Sequence, residues 1–417
     1  MHSHPEVAEA GSLPRRLVER GDRGTETAPF RDRYAIVGFG MTRMGRVPGY
    51  SGRALQAEAA RLAIEDAGLR MDQIDGAINA RNEAGEGGSG NWTDAFPRVL
   101  GLPVKFYWHL GRGGTAAAIS IVAATQALEL GLANYVVVAH GSQGWSLHAR
   151  GEREASPRPG TWGHSLGDLS AMSHHSFFAS RHMHEYGTTS RQFGAVAVAE
   201  RAWAGLNPNA VMHRRPITIE DHQSSRWVVE PYHILDCCLI TDGGSAFVIT
   251  TAERARELRR APVYVMGVGF GEHMRQLWWE KQNYTQLDVT PAKADAFRLA
   301  GIELGDVDVA QLYDCFTAEV IFQLEDYGWC KKGEGGAFAE SGAIAPGGRL
   351  PVNTGGGMLS SHYQIDFTPL SEAIIQLRGE GGARQVPGAE IALSTGHGGE
   401  AVRPGMCSTH SCLVLRR

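Results

Sequence analysis

Three short segments towards the end of the chain carry groups that could move protons or stabilise negative charge. Tyrosine, cysteine and histidine side chains can each give or take a proton, and glycine-rich loops can offer backbone N–H groups to an oxyanion. The segments are YDCF at 313–316, NTGGGMLSSHY at 353–363 and STGHGG at 394–399. Each of these residues also has a purely structural interpretation. Tyr313 can be a strand-end residue with a bonded hydroxyl, Cys315 a small buried hydrophobe, and His397 a residue that lines a loop.

Histidines cluster in a second region, as the pairs His174–His175 and His182–His184. Imidazoles are common metal ligands, but a metal site needs a convergent third ligand, and the sequence identifies none. We therefore predict no metal site, and we expect this segment to be exposed and to face a ligand or a partner. The six cysteines form no C-x-x-C pair, which argues against a zinc ribbon in this chain.

The composition is that of an ordinary globular protein. The chain has 417 residues, 43% of them hydrophobic and 20% charged, which suits two domains or one duplicated unit. A net charge of −5 offers no basic stripe for phosphates, so no nucleic-acid partner is expected. The longest apolar stretch, residues 116–124, is shorter than the roughly 20 residues of a membrane span, so none is predicted. The first 33 residues lack the apolar region of a signal peptide, and the cysteine usage indicates a reducing, cytoplasmic setting.

The elements that must position the candidate residues occur twice in the chain. The matching pairs are YAIVGFG at 34–40 with YVMGVGF at 264–270, AGLRMDQIDGA at 67–77 with AGIELGDVDVA at 300–310, and NYVVVAHGSQG at 134–144 with AEIALSTGHGG at 389–399. Three matches in the same order predict a duplicated α/β unit, with an arm at 1–33 and halves at 34–258 and 259–417. Alternating strands and helices predict mostly parallel sheets covered by helices.

The glycines at 38 and 40 are predicted to lie in a turn. The segment GFGMTRMG at 38–45 does not have the spacing of the G-x-G-x-x-G dinucleotide motif, and no acidic residue follows where a ribose would need one. A dinucleotide-binding fold is therefore not favoured.

Together these features resemble the thiolase superfamily, over about residues 34–417. The duplicated halves, the Ala-rich helix after a glycine-rich loop, the YDCF tetrad and the N-x-x-G-G segment carry the resemblance. The segments at 183–210 and 235–249 are similar to those of sterol-carrier-protein and lipid-transfer-protein-type thiolases. The resemblance implies a thiolase fold, in which the duplicated halves form five layers in the order α/β/α/β/α, and it implies a homodimer.

The same resemblance implies that the chain cannot perform thiolase chemistry. Thiolases place a nucleophilic cysteine at the N-terminus of the buried helix, where the helix dipole and backbone N–H groups activate the thiol. That position falls on Leu110 or Gly111 here, and neither side chain can form an acyl-enzyme. The second catalytic cysteine of ordinary thiolases falls on Thr395.

Two histidine positions of the family are tyrosines in this chain, Tyr313 in the tetrad and Tyr363 after the glycine pair. His362 is one residue early and is expected to point elsewhere. The pattern resembles thiolase-like aldolases that shorten steroid side chains in actinobacteria. These enzymes cleave a β-hydroxyacyl-CoA to a ketone and a shorter acyl-CoA, such as propionyl-CoA or acetyl-CoA. The resemblance implies that one tyrosine takes the hydroxyl proton and the other donates to the developing charge, and it leaves their order open.

Further groups are candidates within this hypothesis. Cys315 and His397 are candidate catalytic groups, and backbone N–H groups of the glycine loops are candidates for an oxyanion hole, at Gly356, Gly357, Gly398 and Gly399. Arg112 is expected to meet a phosphate or an acidic group.

The resemblance also implies partners. It implies no covalently bound cofactor, coenzyme A as part of the substrate, and a small OB-fold protein with a zinc ribbon as a separate partner chain. The segment LWWEKQNY at 277–284 would face that partner or close over the substrate. Two alternatives stay open. One is a non-catalytic acyl-CoA or lipid-binding subunit, and the other is an acyltransferase with an atypical nucleophile, for which Cys315 is the thiol in the tetrad.

Overall fold

The computed structural model describes residues 30–80, 95–151, 171–272, 283–398 and 409–417. The arm predicted at 1–33 lies almost wholly outside these residues, as does most of the tryptophan-rich segment at 277–284. The strands are β1 (Tyr34–Met41), β2 (Gly76–Asn79), β3 (Phe106–His109), β4 (Val136–Gln143), β5 (Trp227–Val229), β6 (Tyr232–His233), β7 (Asp242–Thr251), β8 (Val263–Glu272), β9 (Val309–Gln311), β10 (Ile391–Gly398) and β11 (Thr409–Arg416).

The α-helices in the described residues are α1 (Gly52–Asp66), α2 (Phe96–Val99), α3 (Ala116–Glu129), α4 (Gly144–Ala149), α5 (Ala171–Tyr186), α6 (Ser190–Gly205), α7 (Ile219–Ser224), α8 (Ala252–Ala255), α9 (Val289–Ala300), α10 (Thr317–Tyr327), α11 (Gly335–Glu340) and α12 (Phe367–Leu377). None of them has the length and apolar character needed to span a membrane.

The central sheet shows the duplication directly. Its strand order is β3-β2-β4-β7-β1-β8-β11-β10-β9. From the central β1–β8 pair outwards, β7, β4 and β2 on one side match β11, β10 and β9 on the other. Within the sheet, β1 and β8 join the two halves through the residue pairs Ala35 with Tyr264 and Ile36 with Val263. The predicted duplicated fold is confirmed.

The expectation of mostly parallel sheets is wrong. The pairs β2–β3, β2–β4 and β9–β10 are parallel, whereas the other five pairings of this sheet are antiparallel. The reason lies in β7 and β11, which insert antiparallel between the strands of each half. Antiparallel neighbours need no crossover helix, so the strand–helix alternation does not reveal them.

The glycines at 38 and 40 lie inside β1, so the prediction of a turn there is wrong. The glycines of β8 lie inside a strand in the same way. They let a helix backbone approach the sheet closely. A Cβ added to Gly38 would lie 2.1 Å from the carbonyl oxygen of Ala63 in α1. A Cβ added to Gly267 would lie 2.1 Å from the carbonyl oxygen of Ala296 in α9. The two halves therefore use the same packing device.

Three apolar clusters explain the layering. One packs α1 against one face of β1, β4 and β7. Another packs α9 and α10 against one face of β8, β9 and β11. Between the two half-sheets, α3 and α12 share a third cluster with strands of both halves. This gives the order helix, sheet, helix, sheet, helix, and it places α3 and α12 at the centre of the molecule.

Candidate active site

The two tyrosines predicted from sequence meet in the fold. Tyr313 lies just after β9 and is 4% exposed, and Tyr363 lies between a wide helical turn (Gly357–Ser361) and α12. Their hydroxyl oxygens are 3.4 Å apart, within hydrogen-bonding distance. Burial raises the pKa of the Tyr313 phenol well above its ordinary value, and the neighbouring Tyr363 and Cys315 raise it further. Tyr313 is therefore held in its neutral form.

A closed ring of hydrogen bonds fixes the backbone of Tyr313. Its N–H donates to Oγ1 of Thr395 over 2.8 Å, and that hydroxyl donates to Oε1 of Gln323 over 2.6 Å. The amide nitrogen of Gln323 then donates to the carbonyl of Tyr313 over 2.7 Å. Thr395, which the resemblance to thiolases matched to a cysteine, therefore holds a tyrosine in place.

A second pair of bonds fixes Tyr363. Thr241 accepts a hydrogen bond from the N–H of Tyr363 over 3.1 Å and donates to its carbonyl over 2.9 Å. Thr241 immediately precedes β7 of the first half. The sequence comparison with thiolases gave no signal for Thr241 or Gln323, because neither carries an obvious reactive group.

The loop that the resemblance matched to the nucleophile loop of thiolases packs against Tyr313. Its Gly114 leaves no room for a side chain, since an added Cβ would lie 2.7 Å from Cζ of Tyr313 and 1.8 Å from the carbonyl oxygen of His397. The N–H of Leu110 donates to the carbonyl of Asn79 over 2.8 Å. Arg112 was expected to meet a phosphate or an acidic group. It forms an ion pair with Glu272, with a nitrogen–oxygen distance of 3.0 Å.

The helix end behind this loop is capped by a carboxylate. Oδ2 of Asp366 accepts hydrogen bonds from the N–H groups of Ala117 and Ala118 over 2.8 and 3.1 Å. Burial raises the pKa of Asp366 from 3.8 to about 7. The positive end of α3, which would activate a thiol in a thiolase, is thus occupied by an acid of the other half.

The glycines at 356 and 357 support a turn and do not form an open donor pair. The N–H of Gly356 donates to the carbonyl of Asn353 over 2.7 Å, so it is engaged inside the loop, which is at odds with an oxyanion role. A Cβ on Gly357 would lie 2.2 Å from Oδ2 of Asp314 and 2.6 Å from Oε2 of Glu200. Both glycines have positive φ, 98° and 58°, a region that favours glycine.

The carboxyls of Asp314 and Glu200 form a buried pair under this turn. Asp314 accepts hydrogen bonds from the N–H groups of Met358 and Leu359 over 2.7 and 3.0 Å, so it holds the turn that precedes Tyr363. Burial and the neighbouring Asp314 raise the pKa of Glu200 well above its ordinary value. Burial beside Asp314 therefore favours the protonated form of Glu200.

The remaining candidates are spread around the pair. Cys315 is 8% exposed within the apolar cluster that also contains Tyr313. His397 is 1% exposed, with its ring centroid 6.4 Å from that of Tyr313. Gly398 ends β10 opposite Thr409, and Gly399 lies outside the described residues.

The histidine segment is not an exposed surface. His174, His175 and His182 are between 0% and 5% exposed on α5, whereas His184 is exposed. His182 pairs with Glu325 over 2.9 Å. These side chains are directed inwards because α5 packs on the second half, against residues more than a hundred positions away in sequence. His362 is also buried, and its Nδ1 lies 3.0 Å from Oγ of Ser361.

Known proteins are similar to this chain in both sequence and fold. Residues 271–417 match the family described as "Thiolase C-terminal domain-like". A steroid side-chain-cleaving aldolase of Thermomonospora curvata is 35% identical, over 83% of this chain and 90% of that protein. A 17-hydroxy-3-oxo-4-pregnene-20-carboxyl-CoA lyase of Mycobacterium tuberculosis is 36% identical, over 87% of this chain and 95% of that protein.

Among solved structures, the "Ltp2-ChsH2(DUF35) aldolase" matches with a TM-score of 0.80 and 34% identity, over 93% of this chain and 98% of that one. The relatives and the solved structure cover more of the chain than either half contains, and the family match at 271–417 includes Tyr313 and Tyr363. The chain therefore belongs to the thiolase superfamily, in the subgroup that includes these steroid side-chain-cleaving aldolases.

Proposed function

We propose that this chain is an acyl-CoA aldolase, which cleaves a β-hydroxyacyl-CoA to a ketone and a shortened acyl-CoA. The observation that supports it most is the 3.4 Å contact between the hydroxyls of Tyr313 and Tyr363. The two residues replace catalytic histidines of the family, and the loop beside them carries no nucleophile. The similar aldolase and lyase named above support the same reaction class.

The proton steps follow from the two environments. Burial favours the neutral form of Tyr313, so it acts as the acid, and the less buried Tyr363 acts as the base. Tyr363 takes the β-hydroxyl proton. The bond between Cα and Cβ breaks, the hydroxyl carbon becomes the ketone, and the electron pair forms the enolate of the shorter acyl-CoA. Tyr313 then protonates Cα.

The phenol–phenol contact resets the site. After turnover Tyr363 holds the proton of the substrate and Tyr313 lacks one. Transfer across the 3.4 Å contact restores both groups. No proton is gained or lost overall, and no covalent intermediate is needed.

The proposal includes partners, cofactors and location. Coenzyme A enters as part of the substrate, and no cofactor is covalently bound. A homodimer is supported by β3, an edge strand of the sheet on which Trp108 is 42% exposed. A separate OB-fold zinc-ribbon chain is supported by the "Ltp2-ChsH2(DUF35)" structure, whose name joins two components. A cytoplasmic location is supported by the cysteine usage, since no disulfide joins the five cysteines among the described residues.

The test is a cleavage assay with a panel of β-hydroxyacyl-CoA thioesters, including steroidal and simple tertiary alcohols, with and without the OB-fold chain. Ketone and shortened acyl-CoA should appear in equal amounts. Tyr313→Phe and Tyr363→Phe should each lower kcat by about 10² to 10⁴ and leave thioester binding intact.

The matched control is Tyr50→Phe, because Tyr50 is 59% exposed and lies far from the pair in sequence. This variant should cleave as the wild type does. Tight thioester binding without cleavage of any substrate, unchanged in both phenylalanine variants, would instead assign the chain as a non-catalytic binding subunit. Covalent labelling of Cys315 by an acyl donor would assign it as an acyltransferase.

A further inference from the structure

Three buried side chains of metal-ligand type lie beside the tyrosine pair and have no part in the proton steps. His175 comes from α5, Glu319 from α10 and His397 from β10. One ligand atom of each lies within 4.8 Å of the other two. Nδ1 of His175 is 2.7 Å from Oε1 of Glu319, and Nε2 of His397 is 3.9 Å from Oε2 of Glu319. The fold thus supplies the convergent ligands that the histidine segment lacks in sequence.

The carboxylate of Glu319 is buried in a way that favours a cation. Its side chain is 0% exposed, and those of His175 and His397 are 7% and 1% exposed. Within the described part of the chain, Oε2 of Glu319 has no hydrogen-bond donor. A buried carboxylate oxygen without a donor is unfavourable, and a positive ion placed between the three groups would satisfy it.

The spacing is close to that of a known class of metal site. Zn²⁺ binds imidazole nitrogen at about 2.0–2.1 Å and carboxylate oxygen at about 2.0–2.2 Å, so tetrahedral ligand atoms lie about 3.3–3.5 Å apart. The observed separations are 2.7 Å to Oε1 and 3.9 Å to Oε2 of the same carboxylate, and side-chain rotations that bring both imidazoles to one oxygen would give this spacing. Two histidines and one glutamate form a three-ligand set that leaves a fourth position for water or substrate.

We infer that His175, Glu319 and His397 bind one divalent transition-metal ion, of the Zn²⁺ type, beside Tyr313. Two neutral imidazoles and one carboxylate leave the bound ion with one net positive charge. Imidazole ligands favour zinc and its transition-metal neighbours over magnesium or calcium.

The role of the ion rests on the proposed aldolase reaction. Enolate formation places negative charge on the thioester oxygen, and the N–H of Gly356 is already engaged with Asn353. An ion held by these three side chains would act as a Lewis acid and would stabilise that charge on the thioester oxygen as the bond between Cα and Cβ breaks. The ion is neither oxidised nor reduced, and the β-hydroxyl proton still ends on Cα.

The test measures metal binding by the full chain alone, because the proposed zinc-ribbon partner would bring its own metal. Chain stripped with a chelator is titrated with Co²⁺, and Zn²⁺ is then added. One equivalent of Co²⁺ should bind with the visible absorption of a four-coordinate nitrogen and oxygen site, and Zn²⁺ should displace it. Zn²⁺ should also raise the Tm of the stripped wild type.

Glu319→Gln and His397→Gln should abolish both effects, and His175→Gln provides a third variant if either fails to fold. His213→Gln is the matched control, because His213 is a partly buried histidine after α6 whose contact is the carbonyl of Ala204. This control should bind as the wild type does. Failure to bind one equivalent, or binding that survives loss of Glu319 and His397, would overturn the inference.

Three outcomes separate the metal site from the aldolase proposal. One equivalent of metal bound by a chain that cleaves no thioester would retain the site and remove the aldolase. Cleavage at the same rate by metal-free and metal-loaded protein would show that the ion has no role in turnover. Cleavage by a chain that binds no metal would overturn the metal site and retain the aldolase proposal.

Discussion

The two halves of the molecule share a scaffold, but their equivalent strand ends serve different purposes. The sequence match pairs His140 of β4 with Thr395 of β10. His140 stacks on Phe367 of α12 at 5.5 Å and lies 3.4 Å from the carbonyl of Ala80, so it contributes to packing. Thr395 instead holds the backbone of Tyr313. The reacting groups have gathered in the second half.

The first half contributes shape to this site. Its Gly114 lies against Tyr313 and His397. Asp366 of the second half caps the N-terminus of its helix α3. Duplication thus supplies two similar halves. The loop of the first half that contains Gly114 has no reactive side chain against Tyr313, and it lines the site. Three predictions examine this division of roles.

The largest effect is expected from a substitution at Gly114, in the loop of the first half that lines the site. In Gly114→Ala, the added methyl would lie 1.8 Å from the carbonyl oxygen of His397, so the loop or Tyr313 must shift. We expect kcat to fall by about 10² or more, because small displacements of reacting groups are costly, and stability to fall by about 1–3 kcal/mol. Steady-state kinetics and urea unfolding measure the two effects. Gly305→Ala is the control, since nothing lies within 4 Å of its added Cβ.

A smaller effect is expected from the hydrogen bonds that position Tyr313. Thr395→Val leaves the N–H of Tyr313 and Oε1 of Gln323 without this partner. We expect kcat to fall about tenfold, with KM for the thioester unchanged, and each unsatisfied group to cost about 1–3 kcal/mol of stability. Thr395→Ser keeps the hydroxyl and should recover both. An equal loss in the serine variant would mean that the methyl group, and not the hydrogen bond, matters.

The smallest effect is expected where the halves meet, at the Asp366 cap. The pKa of Asp366 is raised by burial from 3.8 to about 7, so the folded state keeps a proton that the unfolded chain releases. Its contribution to stability is therefore full below about pH 4 and is lost as the pH rises through about 7. Asp366→Asn removes this titration, so its free energy of unfolding should decline less than that of the wild type between pH 4 and 7. Parallel slopes for the two proteins, measured by urea unfolding, would contradict the assignment.

The sequence predicted the duplicated frame and the tyrosine pair for a physical reason. Both depend on local patterns: apolar strands, a glycine-marked helix end at Gly301, and a fixed count from the glycine pair to Tyr363. Such patterns are short, and the resemblance to thiolases aligned them in order. Their contact across 50 residues then followed from the family's geometry.

Other features depend on contacts that no local pattern encodes. His175 and Glu319 are 144 positions apart, and Gln323 and Thr395 are 72 apart. The outward expectation for the histidine segment was wrong because burial of α5 is decided by packing on the second half. The oxyanion expectation for Gly356 overlooked a bond inside its own loop, to Asn353.

The Asp366 cap also bears on the chemistry that a thiol in this loop could perform. A cysteine introduced at position 110 or 111 would find the N–H groups of Ala117 and Ala118 already bonded to Oδ2 of Asp366. A thiolate there would face an acid instead of an open helix end. A new cysteine alone would therefore not give an activated thiol, because the carboxyl of Asp366 would also have to be removed.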